Sequence, residues 1–216
     1  MKRICHLEEF PVLSGDKMSL EPRLSALSVL HQAGLSTQRL KGSFLVAEWK
    51  IHQQQLQEKS VLKTSSMGRL MDAVSALLNI GLLNSYEGEA AMLLESAARE
   101  FNGMPNYKYD FLISGSKIIW QAAIKQVIDE INKGLDRSEI AFRFHDSLAT
   151  LIMVVAEHFG IQKLTFSGGV FQNTLLCERI VAHASGRYDT YFHQKLPPND
   201  ACIANGQVAY IRKVGE

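Results

Sequence analysis

KLTFSGGVFQN, residues Lys163 to Asn173, is an apolar strand that runs into two glycines and then into a helix. Leu164, Thr165 and Phe166 suit a short buried strand, and Val170 onward reads as helix. Gly168 and Gly169 permit backbone angles and a close approach that a Cβ would block. Backbone N–H groups at such a helix start can face a phosphate or a ribose. A plain strand-to-helix turn uses the same glycines, so the neighbouring segments decide the reading. Downstream come a second strand near Asp189 to His193, the loop LPPND and a helix from about Ala201 to Arg212. Strand, helix, strand, helix is a parallel α/β element. Ligands of such units gather beyond the carboxyl ends of the strands, which brings Ser167–Asn173 and Lys195–Asp200 to one rim. Asn199 or Asp200 can cap the last helix, and Asp200 also reads as a carboxylate ligand for a metal beside a phosphate.

Upstream, Ser138 to His158 is an amphipathic helix with Ile140, Phe144, Leu148, Leu151, Ile152 and Val155 on one side, stopped by Gly160. His145, beside a core-facing Phe144, reads as a hydrogen-bonded packing residue. Tyr107–Ile113 and Lys117–Trp120 form a hairpin around Ser114-Gly115-Ser116, followed by a helix from Gln121 to Lys133 that stops at Gly134. In TSSMGRLMDAVSALLNIG, Met67, Leu70, Met71, Val74, Leu77 and Leu78 recur at helical spacing, with Ser65 or Ser66 as cap and Gly81 as stop. Arg69 and Asp72 fall outside that stripe, three apart, and read as a surface ion pair. YEGEAAMLLESAAREF is a further helix with Glu87 near its N-terminus, where a carboxylate complements the helix dipole. Phe44 to Lys59 reads as a helix carrying Phe44, Leu45, Ala47 and Ile51, whose glutamine-rich end leaves the core for solvent. Residues 1 to 18 read as an irregular opening segment, with a first helix from Glu21 to Ala33. Its abrupt start predicts a preceding N-terminal part.

The chain has 216 residues, 46% hydrophobic and 21% charged, enough to bury a sizeable core as one domain or two small lobes. A net charge of +1, with Lys and Arg scattered, offers no basic stripe for nucleic acid or a membrane surface. No apolar run reaches the roughly eighteen residues a bilayer requires, and MKRICHLEEF lacks the apolar centre of a signal peptide, which predicts a cytoplasmic protein. Cys5, Cys177 and Cys202 make no C-x-x-C pair, and the seven histidines contain no i, i+4 pair. Neither a disulfide framework nor a zinc finger is expected.

Five segments in order, TSSMGRLMDAVSALL, NSYEGEAA, FHDSL, SGGVFQNTLL and PPNDACIANGQ, together resemble the C-terminal part of the HypF family of hydrogenase-maturation carbamoyltransferases. HLEEFPVLSGDKMSLEPRLSAL fits that family's preceding loop and helix, so the resemblance spans nearly the whole chain. It implies a Kae1-like α/β fold of the actin-like and hexokinase-like type, of which this chain is the second lobe. Residues 1–60 would be the opening loop and helices linking to a first lobe, and residues 61–216 the lobe itself. The family uses carbamoyl phosphate and ATP to make carbamoyl adenylate, then passes the carbamoyl group to the C-terminal cysteine of HypE. The product becomes the cyanide ligand of nickel–iron hydrogenase.

Carried over by that resemblance, Gly168, Gly169 and Asn173 would lie against the adenylate, Asp72 would contact its ribose, and Glu87 with Gly88 would line the same pocket. Asp200 would bind a divalent metal of the magnesium or iron type. Ala201 and Cys202 stand where the family tends to have glycines, and Met71 replaces a usual phenylalanine. Cys202 reads as a packed thiol, since the acceptor thiol belongs to HypE. Two other readings are a lobe that binds nucleotide or HypE without catalysing, and a small-molecule kinase of the same broad fold.

Overall fold

The structure, a computed structural model, describes residues 3–58, 61–104 and 107–214. Contacts divide the chain into two units, Met1–Ser147 and Leu148–Glu216.

Unit 1 is built on the pairing of α2 (Pro22–Gln32) with α4 (Met67–Leu77), against which α5 (Glu89–Arg99) and α6 (Gln121–Asn132) pack. Every residue from Leu24 to Leu30 and from Leu70 to Leu77 is buried, so both helices are core elements on all sides. Pro22 opens α2 at a position where its missing N–H costs nothing. Ser66 caps α4, its side chain accepting from the Arg69 N–H at 3.3 Å. The other end closes with Asn79 at φ 54°, the Asn79 N–H donating to Ala76 O at 3.1 Å and Ile80 N–H to Ser75 O at 3.0 Å. That pair of bonds is a Schellman motif, so Asn79 and not Gly81 ends the helix. Gly81 serves the close approach of α5, because a Cβ there would stand 3.1 Å from Ala90 Cβ.

The opening segment is more ordered than its turn chemistry predicts. β1 (His6–Leu7) pairs in parallel with β5 (Lys117–Ile119), which forms an antiparallel hairpin with β4 (Leu112–Ser114), giving the order β1-β5-β4. β2 (Phe10–Pro11) pairs antiparallel with β3 (Lys63–Thr64), and α1 (Lys17–Leu20) follows. Phe10 meets Trp120 edge to face at 5.6 Å, and Trp120 Nε1 donates to Glu8 O at 2.7 Å. Two-residue strands have no alternation to read, and their partners lie far along the chain.

α3 (Val46–Gln57) also departs from expectation, and the expected end at Lys59 lies outside the described residues. Leu45, Val46 and Ile51 are exposed, while Trp49, His52 and Leu56 are buried and Phe44 packs on Trp49 and His52. The buried face follows i, i+3, i+7 through a histidine, and it holds the helix on unit 1 to its last turn.

On α6, Ala123, Val127 and Glu130 share a buried stripe. The Glu130 carboxylate accepts from the hydroxyls of Tyr107 and Tyr109 and pairs with Arg143 of α7 (Arg137–His158), whose guanidinium lies 4.5 Å over the Tyr107 ring and also pairs with Glu139. Burial and Glu130 push the Tyr107 hydroxyl up to about 12, and that of Tyr109 well above its usual range. His145 is fully buried with Nδ1 2.8 Å from Ala141 O, and burial lowers its pKa, as befits the packing role.

Unit 2 begins within α7. It pairs β6 (Lys163–Thr165) in parallel with β7 (Asp189–Tyr191), in the register Leu164↔Thr190, with α8 (Thr174–Ala184) as the crossover and α9 (Ile203–Val214) after β7. This is the strand, helix, strand, helix order expected. The strand is not a buried one, however: Lys163 and Thr165 are exposed and only Phe166, just past it, is buried.

Candidate functional site

In unit 2 the chain leaves β6 and turns at Gly168, whose φ of 111° and ψ of 155° only glycine adopts freely. The Gly168 N–H donates to Pro198 O at 2.6 Å, tying the glycine turn to the loop before α9 as the parallel topology requires. A 3-10 turn over Gly169–Gln172 follows, so α8 starts at Thr174 and not at Val170. Asn173 is its cap: Oδ1 accepts from the Leu176 N–H at 2.8 Å. A Cβ at Gly168 would meet nothing within 4 Å, and one at Gly169 nothing nearer than Gln172 Oε1 at 3.8 Å. Nothing local crowds these glycines. Gly168 is required by its backbone angle, whereas Gly169 leaves open space in front of the turn.

Behind the turn is a cleft of ≈ 230 Å³ lined by Phe166, Phe171, Cys177, Phe192, His193 and Pro198. Phe166 stacks on Phe192 at 4.6 Å with 17° between planes. This is less than the few hundred cubic ångströms typical of whole-ligand pockets. Sequence reasoning missed it; the available signal was a phenylalanine at the end of each strand. Asp200 is exposed and heads the 3-10 turn Asp200–Cys202, while Asn199 does the capping, its Oδ1 accepting from Ala201 N–H at 3.1 Å. Among the described residues no three His, Cys, Asp or Glu side chains converge for a metal. Asp200 supplies one carboxylate, which alone does not hold a divalent ion. Cys5, Cys177 and Cys202 are half-buried, and burial pushes the Cys5 thiol up.

Unit 1 holds Asp72, Glu87 and Gly88. Asp72 is not a surface residue: its side chain is 1% exposed and its Oδ2 lies 3.0 Å from Arg69 Nη1, itself 15% exposed. The surface ion pair expected from the spacing is therefore a buried one, because α4 is core on every side. Neither Asp72 oxygen accepts a well-aligned hydrogen bond. Desolvation raises its pKa to about 6, with Arg69 opposing and Glu87 adding to the rise. Glu87 is exposed, and Gly88, at φ 86°, is the N-cap of α5. The first turn of α5 is held by Asn84 Oδ1, which accepts from Ala90 N–H at 3.0 Å, and by Glu89, which accepts from Ser85 Oγ at 2.8 Å. Asp72 and Glu87 are thus near enough to act on each other, while Gly168, Gly169 and Asn173 lie on the turn after β6, to which the loop leading to Asp200 is tied at Pro198.

The comparisons give this helix-rich α/β chain the fold of the second lobe of a Kae1-like domain, of the actin-like and hexokinase-like type. The chain belongs to the HypF-type carbamoyltransferases: residues 1–207 match the family model described as "Carbamoyltransferase, Kae1-like Domain, second subdomain". A probable carbamoyltransferase HypF from Methanocaldococcus jannaschii is 31% identical over 229 residues, covering 100% of this chain and 29% of that protein. Carbamoyltransferase HypF from Synechocystis is 38% identical over 158 residues, covering 67% of this chain and 19% of that protein. A crystal structure of full-length HypF in the phosphate- and nucleotide-bound form superposes with a TM-score of 0.87 at 28% identity, over 100% of this chain and 29% of that one. The chain therefore spans less than a third of the length of these relatives. Among the described residues, no helix is long and apolar enough to cross a membrane.

Proposed function

We propose that this chain is the C-terminal module of a carbamoyltransferase that holds carbamoyl adenylate while the carbamoyl group passes to the C-terminal cysteine of a HypE-like protein, in the synthesis of the cyanide ligand of nickel–iron hydrogenase. The observation that carries the reading is the likeness along the whole chain to a full-length HypF crystallised with phosphate and nucleotide. In this reading Gly168, Gly169 and Asn173 face the adenylate, and Asp72, Glu87 and Gly88 the ribose side. Asp200 contributes one carboxylate to a divalent metal completed by ligands from outside this chain. Transfer from an adenylate to a thiol needs the adenylate held still and its departing charge met by fixed amides, which the open turn at Gly169 offers. The adenylate-forming segments and the first lobe come from the rest of the longer protein, in the cytoplasm.

The test is transfer in two parts. The chain is combined with the remaining segments of a longer relative on a second polypeptide, plus carbamoyl phosphate, ATP, magnesium and a HypE-like acceptor. Thiocarboxamide on the acceptor, seen by mass spectrometry, is expected only when both polypeptides are present; equal transfer without this chain would refute the reading. A second reading, a lobe that holds its partner without catalysing, draws on α9, where Ile203, Val208, Tyr210 and Ile211 are each more than half exposed. It predicts stable association of the two polypeptides and no transfer.

A further inference from the structure

A buried carboxylate without hydrogen-bond donors is costly, and ordinarily takes up a proton. Asp72 has one compensating neighbour. Arg69 Nη1 lies 3.0 Å from Asp72 Oδ2 and donates to Met18 O at 3.3 Å, while the Arg69 backbone is fixed by the Ser66 cap. The guanidinium thus bridges α1 and α4 with its charge against the carboxylate. We propose that Arg69 is a positioning residue for Asp72, keeping the carboxylate ionised and aimed so that it accepts from a pair of ligand hydroxyls. The inference rests on the reading of Asp72 as a ribose-side ligand group. An ionised carboxylate accepts from both hydroxyls of a vicinal diol, whereas a protonated one carries a donor of its own and loses part of that capacity. Asp72 Oδ1 accepts no hydrogen bond, and its side chain is closed to solvent, so an arriving ligand must part its cover. Two charged groups act on Asp72: Arg69 from its own helix and Glu87 from the segment before α5. α2 and α6, also packed on α4, bring no further charge to it among the described residues.

The experiment uses the 216-residue chain and its Arg69→Met, Arg69→Lys and Asp72→Asn variants. Carbon-13 carboxyl NMR follows Asp72, its resonance assigned by its loss in Asp72→Asn. The midpoint is expected at about pH 6 in the parent, higher in Arg69→Met and restored toward the parent in Arg69→Lys. Calorimetry with sulfamoyl adenosine, a carbamoyl-adenylate mimic without a titrating phosphate, should show about tenfold weaker binding in Arg69→Met near neutral pH, recovering as pH rises, and near-parent binding in Arg69→Lys. A residue that only supports the fold would lower stability without moving either pH profile. Loss of binding in Asp72→Asn with an unchanged profile in Arg69→Met overturns the role of Arg69 and leaves the ribose reading standing. Parent-like binding in Asp72→Asn, or none by the folded parent, overturns the ribose reading and the inference with it. Should Arg69→Met not fold, Arg69→Gln is read in its place.

Discussion

Glu130→Ala is expected to destabilise unit 1 by about 3–5 kcal/mol, the range for removing one partner of a buried ion pair. The carboxylate is 3% exposed and answers three donors at once, the Tyr107 and Tyr109 hydroxyls and the Arg143 guanidinium. Alanine leaves a guanidinium that is 5% exposed without its buried carboxylate, Glu139 being the partly exposed one that remains, and leaves both hydroxyls without this acceptor. Glu130→Gln keeps an acceptor without the charge and should cost about half as much, as a charged hydrogen bond exchanged for a neutral one. Both tryptophans, Trp49 and Trp120, lie in unit 1, so their fluorescence in a urea titration isolates its transition. A loss below about 1 kcal/mol for alanine would mean that the network is solvated and not a core device.

Asp72→Asn is expected to act in the opposite direction. The folded chain holds the Asp72 proton up to about pH 6, against 3.8 for a free aspartate. Below about pH 4 both states are protonated and the group contributes nothing to the pH dependence. As pH rises from about 4 to about 6 the unfolded state ionises first, and stability falls. Above that, the ionised group costs the fold about 3 kcal/mol relative to its protonated form. Asparagine imitates the protonated form, so at neutral pH the variant should be about 1–3 kcal/mol more stable, with the difference closing by pH 4. A destabilised variant with no such pH dependence would make Asp72 and Arg69 a structural pair. A carboxylate that weakens the fold at working pH is consistent with the ribose-side role proposed for Asp72, since sites that bind ligands often trade stability for function.

Where periodicity was long, the fold was legible. The hairpin, α6, α7 and the order β6-α8-β7-α9 follow from stripes, caps and glycine stops that are local to each segment. Asp72 was misjudged for a physical reason: α4 is buried all round, and an Arg and an Asp three apart look the same on a core helix as on a surface one. α3 reads on the wrong face because Leu45, Ala47 and Ile51 are apolar and exposed while His52 is buried. The Glu130 network joins residues 13 to 23 positions apart, beyond any window of helical spacing. One trace was present: Glu130 falls on the Ala123, Val127 stripe of α6, where a charge has to be paired. At the candidate site, Gly168 could be placed by its strand-to-helix context, while the Phe166–Phe192 stack depends on β6 and β7 lying side by side.

The most direct measurement is calorimetric titration of ATP into the chain and its Asn173→Asp variant. Aspartate keeps the oxygen that caps α8 but lacks the amide N–H groups and adds a charge, so it retains the cap while changing what Asn173 presents to a ligand. Saturable binding by the parent, weakened about tenfold or more in Asn173→Asp with an unchanged unfolding midpoint, is the predicted result. No heat of binding from the folded chain, or equal affinity in the variant, would contradict a nucleotide held on this glycine turn.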